Sequence, residues 1–301
     1  MTAPAGTGPR FGEEPGRSAP DGGASRGPAV AGGSAVGGLV GREEALRCEG
    51  LRKAFGGVRA VDGASFWVPA GSICALIGPN GAGKSTAVNL LSGALRADGG
   101  RAWLFGREVT GWPAHRVCGA GLVRTFQLSR ELGRLTVLEN LMVAPLNQLG
   151  ESLFNIFFRP RAIKQEERRH LARALEVLGA FGLYEMRDSY ARELSGGQKR
   201  LLELARAVMA QPRLLFLDEP MAGINPALVE QIGEHIQRLN AGGVSVLMVE
   251  HNLNVVEAIC DRVVVMAEGK VLATGTMAEL RAHPEVVRAY LGAAQSARAA
   301  R

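Results

Sequence analysis

The chain has 301 residues, of which 47% are hydrophobic, and 35 Lys and Arg against 29 Asp and Glu leave a formal net charge of +6. That suffices to bury one large core or two unequal ones. Residues 64–83 carry no charge, but Pro69, Gly71, Gly78, Pro79 and Asn80 interrupt them, so no transmembrane helix is expected. The four cysteines (Cys48, Cys74, Cys118, Cys260) lack metal-like spacing, which excludes a zinc site and a disulfide framework and points to reduced thiols.

In chain order, residues 1–44 are dominated by Gly, Ala, Pro and Ser without an apolar period, the composition of a disordered extension, and lack the basic start and apolar block of a secretory signal. Residues 46–75 read as short strands with turns at Gly56-Gly57 and Pro69-Ala70-Gly71, an antiparallel layer. The apolar strand Ser72–Ile77 leads into the loop Gly78-Pro79-Asn80-Gly81-Ala82-Gly83-Lys84-Ser85-Thr86, and a helical run follows from Ala87. Residues from about 129 to 194 read as mostly helical, with an apolar insert at Gly150–Pro160 that either buries against a membrane partner or folds back on its own core. Arg159, Arg161, Lys164, Arg168 and Arg169 cluster behind it, but Glu166 and Glu167 are interleaved at helical spacing, which suits a solvated helix face better than a nucleic-acid patch. Strands at 213–217, 244–250 and 262–267 alternate with helices at 226–240 and 252–260, so the fold is α/β with a largely parallel sheet.

Three segments carry chemistry. Gly78–Thr86 fits G-x-x-x-x-G-K-[ST]: its glycines let consecutive N–H groups turn inward on a phosphate, the following helix adds its positive end, Lys84 supplies a point charge and Ser85 a hydroxyl for Mg²⁺. Leu194-Ser195-Gly196-Gly197-Gln198 opens a helix whose apolar residues Leu201, Leu204, Ala205 and Val208 recur at helical spacing, a second anion site. One small domain does not easily wrap one triphosphate with two such sites, so the second is expected to serve another subunit. Asp218 and Glu219 close an apolar strand, where ligands collect in parallel sheets; Asp218 is expected to hold Mg²⁺ and Glu219 to polarise the attacking water.

These segments, in this order, resemble those of ATP-binding cassette ATPases, and the resemblance covers about residues 46–292. It implies a P-loop NTPase (RecA-like) core with an antiparallel β layer and an inserted helical subdomain at about 129–210, in a cassette spanning 45–292 with a flexible tail at 293–301. It further implies two cassettes packed head to tail around two MgATP. By this resemblance Gln127 touches Mg²⁺ and links the site to the transmembrane partner, His251 bonds the γ-phosphate, and Phe55 stacks on adenine unless it is a core residue. His115, His170, His235 and His283 have no such placement and are read as solvated. Asn225 stands where many cassettes carry aspartate, keeping the hydrogen-bonding reach across the interface without the charge.

With Arg124-Thr125-Phe126-Gln127, Ala222-Gly223-Ile224-Asn225-Pro226 and the ending His283–Gly292, the chain resembles the larger ATPase subunit of branched-chain amino acid importers. The partners this implies are membrane permeases, a second cassette and, indirectly, a substrate-binding protein, at the inner face of the plasma membrane. Importers of urea or short amides and extractors of lipopolysaccharide share much of the pattern. A cassette acting on nucleic acid is disfavoured, since there is one phosphate loop and no long coiled-coil insertion.

Overall fold

The computed structural model describes residues 43–125, 132–146 and 148–289, all within one compact unit spanning 41–301. Gln127, the tail at 293–301 and all but the last two residues of the extension expected at 1–44 lie outside the described residues.

Strand β1 (Glu44–Phe55) and strand β2 (Val58–Pro69) form a hairpin closed by Gly56-Gly57. Both glycines have positive φ, 53° and 88°, as a two-residue turn matched to strand twist requires. There follow β3 (Ile73–Ile77), α1 (Lys84–Leu91), β4 (Gly99–Leu104), β5 (Arg107–Glu108), α2 (Ala114–Gly119) and β6 (Leu122–Arg124). A helical arm comprises α3 (Val137–Met142), α4 (Leu153–Phe158), α5 (Pro160–Ala180) and α6 (Gly196–Met209), in which α3 packs on both α5 and α6. The remainder is β7 (Leu214–Asp218), α7 (Pro226–Ala241), β8 (Ser245–Val249), α8 (Leu253–Ile259), β9 (Arg262–Ala267), β10 (Lys270–Gly275) and α9 (Met277–Arg281).

Two sheets result. An antiparallel sheet has the order β2-β1-β4-β5, and a six-stranded sheet the order β10-β9-β3-β8-β7-β6, parallel except for β10. The central strands read as unbroken apolar runs because both of their faces are covered. Ile73, Ala75 and Ile77 of β3 face a core shared with the arm, while Cys74 and Leu76 face a second core under the antiparallel sheet; Leu215 and Leu217 against Leu214 and Phe216 do the same in β7. Strands β4 and β5 were not expected, since the glycines and arginine of β4 interrupt any alternation before Ala102.

His235 is not solvated: it is only 4% exposed, lies beside buried Ile232 and Ile236 on α7, and stacks on Phe181 with ring centroids 4.2 Å apart. Helical geometry puts residue 235 on the inner face three residues after Ile232, and the ring pairs with an aromatic whose position no local pattern reveals. All four cysteines are free, and burial pushes the Cys48 thiol up to about 12 and the Cys74 thiol up to about 11. No described helix is long and apolar enough to cross a membrane.

Candidate functional site

Four adjacent parallel strands, β3, β8, β7 and β6, end on one edge of the sheet, and Lys84, His251, Asp218, Glu219 and Arg124 lie at or just beyond those ends. The loop after β3 is walled in by backbone. A side chain on Gly78 (φ 153°) would put its Cβ 2.1 Å from the carbonyl oxygen of Met266, and one on Gly83 (φ 95°) would put it 2.2 Å from that of Ala60. Ala82, buried, accepts a hydrogen bond from the Gly269 N–H at 3.1 Å, so β9, the turn that follows it and the start of β2 together hold the loop. Asn80, Gly81 and Ser85 are exposed at its mouth, and Pro79 and Thr86 are half-buried. Gly83 caps α1 without a side-chain hydrogen bond, leaving first-turn N–H groups for an anion.

Lys84 is 6% exposed, and its Nζ donates to the carbonyls of Gly78 at 2.9 Å and Pro79 at 3.0 Å. Burial pushes its ammonium below the usual lysine range, and the facing carboxylates of Glu219 and Asp218 oppose that shift. Asp218 is paired with Arg124, Nη2 to Oδ2, at 2.8 Å, and the other terminal nitrogen of Arg124 donates to Asn89 on α1. One guanidinium thus braces the end of β7 against the helix that follows the loop.

Glu219 adopts φ 49°, a left-handed conformation that strains a non-glycine residue. Its N–H donates to Val249 at 2.9 Å and its carbonyl accepts from Arg200 Nη2 at 2.8 Å, while its Oε1 lies 3.0 Å from His251 Nε2. The carboxylate of Glu250, 3% exposed, accepts from the N–H of Met221 at 2.9 Å and of His251 at 3.1 Å. It therefore fixes the backbone on both sides of the Glu219–His251 contact. Arg124, Arg200 and Glu250 escaped the sequence reading; the only available signal was the acid of Glu250 at the end of a fully buried strand.

A second cluster is separate. Ser195 caps α6 by a reciprocal box with Gln198, each side chain bonding the other's backbone N–H. Gly197 packs against Leu228, whose Cδ2 would stand 2.5 Å from a Cβ there and would have to move aside. Asn225 caps α7 by accepting from the Leu228 N–H at 2.9 Å. Ser195, Gly196, Gly197, Gln198 and Asn225 line one cavity of about 720 Å³, to which neither the phosphate-type loop nor Asp218, Glu219 or His251 contributes. Phe55 is not a core residue: it is 48% exposed at the hairpin tip, with Lys53 Nζ 5.6 Å from its ring centroid. The same hairpin reaches the loop through Ala60.

This arrangement has known counterparts. Residues 61–222 match the family described as ABC transporter. The chain belongs to the ABC transporter family. Residues 270–295 also match a family described as branched-chain amino acid ATP-binding cassette transporter. Over 251 residues the cassette is 42% identical to the probable branched-chain amino acid transport ATP-binding protein LivG of Archaeoglobus fulgidus, covering 83% of this chain and 96% of that one. It is 39% identical over 250 residues to the high-affinity branched-chain amino acid transport ATP-binding protein BraF of Pseudomonas aeruginosa, covering 83% and 98%. Among solved structures it resembles a nucleotide-free ATP-binding cassette from an ABC transporter (TM-score 0.72, 38% identity, 82% and 98% coverage). Another, a cassette in its ADP conformation, gives a TM-score of 0.71 at 37% identity, covering 83% and 99%.

Proposed function

We propose that this cassette is the ATP-hydrolysing subunit of a branched-chain amino acid importer, acting on separate membrane permeases at the inner face of the plasma membrane, with a substrate-binding protein upstream. The observation that carries the catalytic part is one cluster: buried Lys84 facing Asp218 and Glu219, with His251 Nε2 at 3.0 Å from Glu219. The family matched at residues 270–295 and the names of the relatives support the cargo.

The residues fit MgATP. The glycines let the loop lie against the Met266 and Ala60 carbonyls, the start of α1 has no side-chain cap, and Ser85, Asp218 and, outside the described residues, Gln127 offer the hard oxygen donors that Mg²⁺ prefers. Magnesium, when bound, withdraws charge from the phosphates. Lys84 exchanges its two carbonyl partners for phosphate oxygens, and the N-terminal N–H groups of α1 take the rest of the charge. Residues Gly78, Pro79, Asn80, Gly81, Ala82, Gly83 and Thr86 shape this cradle, and Phe55 offers its exposed ring to the base. Glu219 takes the proton of the attacking water, and His251 holds its Oε1 and senses the departing phosphate.

Ser195, Gly196, Gly197, Gln198 and Asn225 then complete the site of a second cassette, identical or sibling. Their separation from Lys84 within one chain supports this. In domain terms, 45–292 is the cassette and about 129–210 its helical subdomain, with 1–44 and 293–301 outside it, and closure passes to the permeases through the Gln127 region.

The test is uptake of labelled leucine into cells whose sole copy is wild type or Glu219→Gln, with labelled urea in parallel. Loss of leucine uptake alone is expected; loss of urea uptake alone would replace the cargo assignment. Purified Glu219→Gln should still bind ATP but barely turn it over, and turnover near the wild-type rate would remove Glu219 from its role.

A further inference from the structure

The insert at Gly150–Pro160 leaves α4 uncovered. Leu153, Phe154, Ile156, Phe157 and Phe158 are 75%, 65%, 46%, 77% and 70% exposed, although all fall within the six residues of one helix. Phe154 and Phe158 touch one another, with ring centroids 4.5 Å apart, and no side chain of α4 joins either hydrophobic core. An apolar cluster this dense on a water-facing helix marks a contact surface.

Its charge surroundings say what it contacts. Between Glu151, which is exposed, and Glu166 the chain contains Arg159, Arg161 and Lys164 and no acid, and all three cations are exposed. Glu166 is engaged locally, accepting the Leu149 N–H at 2.8 Å. Three phenylalanines beside three cations, on a helix too short to span a bilayer, match the chemistry of a segment that lies in a membrane interface: aromatic rings enter the acyl boundary while cations meet anionic headgroups.

We propose that α4 and the start of α5 dock on an anionic lipid surface, anchoring the arm to the bilayer beside the permeases. The inference rests on these exposed side chains and stands whichever solute is transported; its test needs no permease. The full chain is floated with vesicles of phosphatidylcholine and phosphatidylglycerol in equal parts, or of phosphatidylcholine alone, at low and high salt. Wild type should float with the anionic vesicles and less so at high salt. Phe154→Ser/Phe157→Ser/Phe158→Ser should abolish flotation, and Arg159→Gln/Arg161→Gln/Lys164→Gln should weaken it about a hundredfold. ATP turnover in solution should remain in both variants, which separates a lost surface from a lost fold and from failure of the ATPase assignment. Absence of wild-type flotation, or flotation undiminished in the phenylalanine variant, overturns the proposal. So does retention on neutral vesicles alone.

Discussion

Arg200→Met tests whether the backbone of Glu219 is held from the α6 side. Arg200 is five residues beyond Ser195, and its two terminal nitrogens reach the Glu219 carbonyl at 2.8 Å and the Glu203 carboxylate at 3.0 Å. Methionine keeps the stem and removes both bonds. A hydrogen bond from a charged donor contributes about 1.5 to 3 kcal/mol, and the left-handed backbone of Glu219 stores about 1 to 3 kcal/mol that such bonds offset. Loss of about 2 kcal/mol of this support, acting on the placement of the carboxylate, lowers ATP turnover roughly tenfold to thirtyfold. The affinity for ATP should change by less than about threefold, because Lys84 and the loop of Gly78 and Gly83 are untouched. A second signature comes from Glu203, whose carboxyl is raised by burial and partly restored by Arg200. Without Arg200 it rises further, and an acid with a raised folded pKa loses stability as pH rises. The variant's stability deficit should therefore grow as pH rises above the ordinary carboxyl value of 4.5 and shrink back towards it. Steady-state turnover, equilibrium ATP binding and thermal melts across that range are the assays. Turnover within twofold of wild type, or weakened binding with turnover preserved, would refute the reasoning.

Gly78→Ala forces a Cβ to within 2.1 Å of the Met266 carbonyl at a φ of 153°. Strain and overpacking of about 3 kcal/mol should lower the melting temperature by about 6 to 12 °C and abolish ATP binding, as calorimetry and nucleotide titration would show. Glu250→Gln leaves one acceptor oxygen for two N–H groups, at Met221 and His251, so a cost of about 2 kcal/mol and faster hydrogen exchange at one of those two amides are expected. His235, whose imidazole burial holds below its ordinary 6.5, refuses a proton that the unfolded chain accepts, so stability should fall as pH drops below that value. His235→Phe, which keeps a ring against Phe181, should flatten that slope in melts between pH 7.5 and 5.5.

The phosphate-type loop, the Ser195 helix opening and the Asp218-Glu219 strand end were legible in the sequence because each is local. A loop of fixed spacing needs its glycines and lysine within nine residues, and a helix cap needs its serine and glutamine three apart, so the primary structure contains the whole device. The parallel sheet was legible for a related reason: strands covered on both faces must be apolar throughout. What the tertiary structure alone decided are the braces between elements distant in sequence. Arg124 meets Asp218 across 94 residues and Arg200 meets the Glu219 carbonyl across 19, and nothing near an arginine announces which partner its long side chain will reach. Glycine shows the same division. The sequence places Gly78 and Gly83 in the loop, but only the fold brings the Met266 and Ala60 carbonyls against them and so makes a side chain there impossible. His235 and α4 went opposite ways for one reason: burial depends on what packs against a face, and the sequence of that face alone does not contain its neighbour.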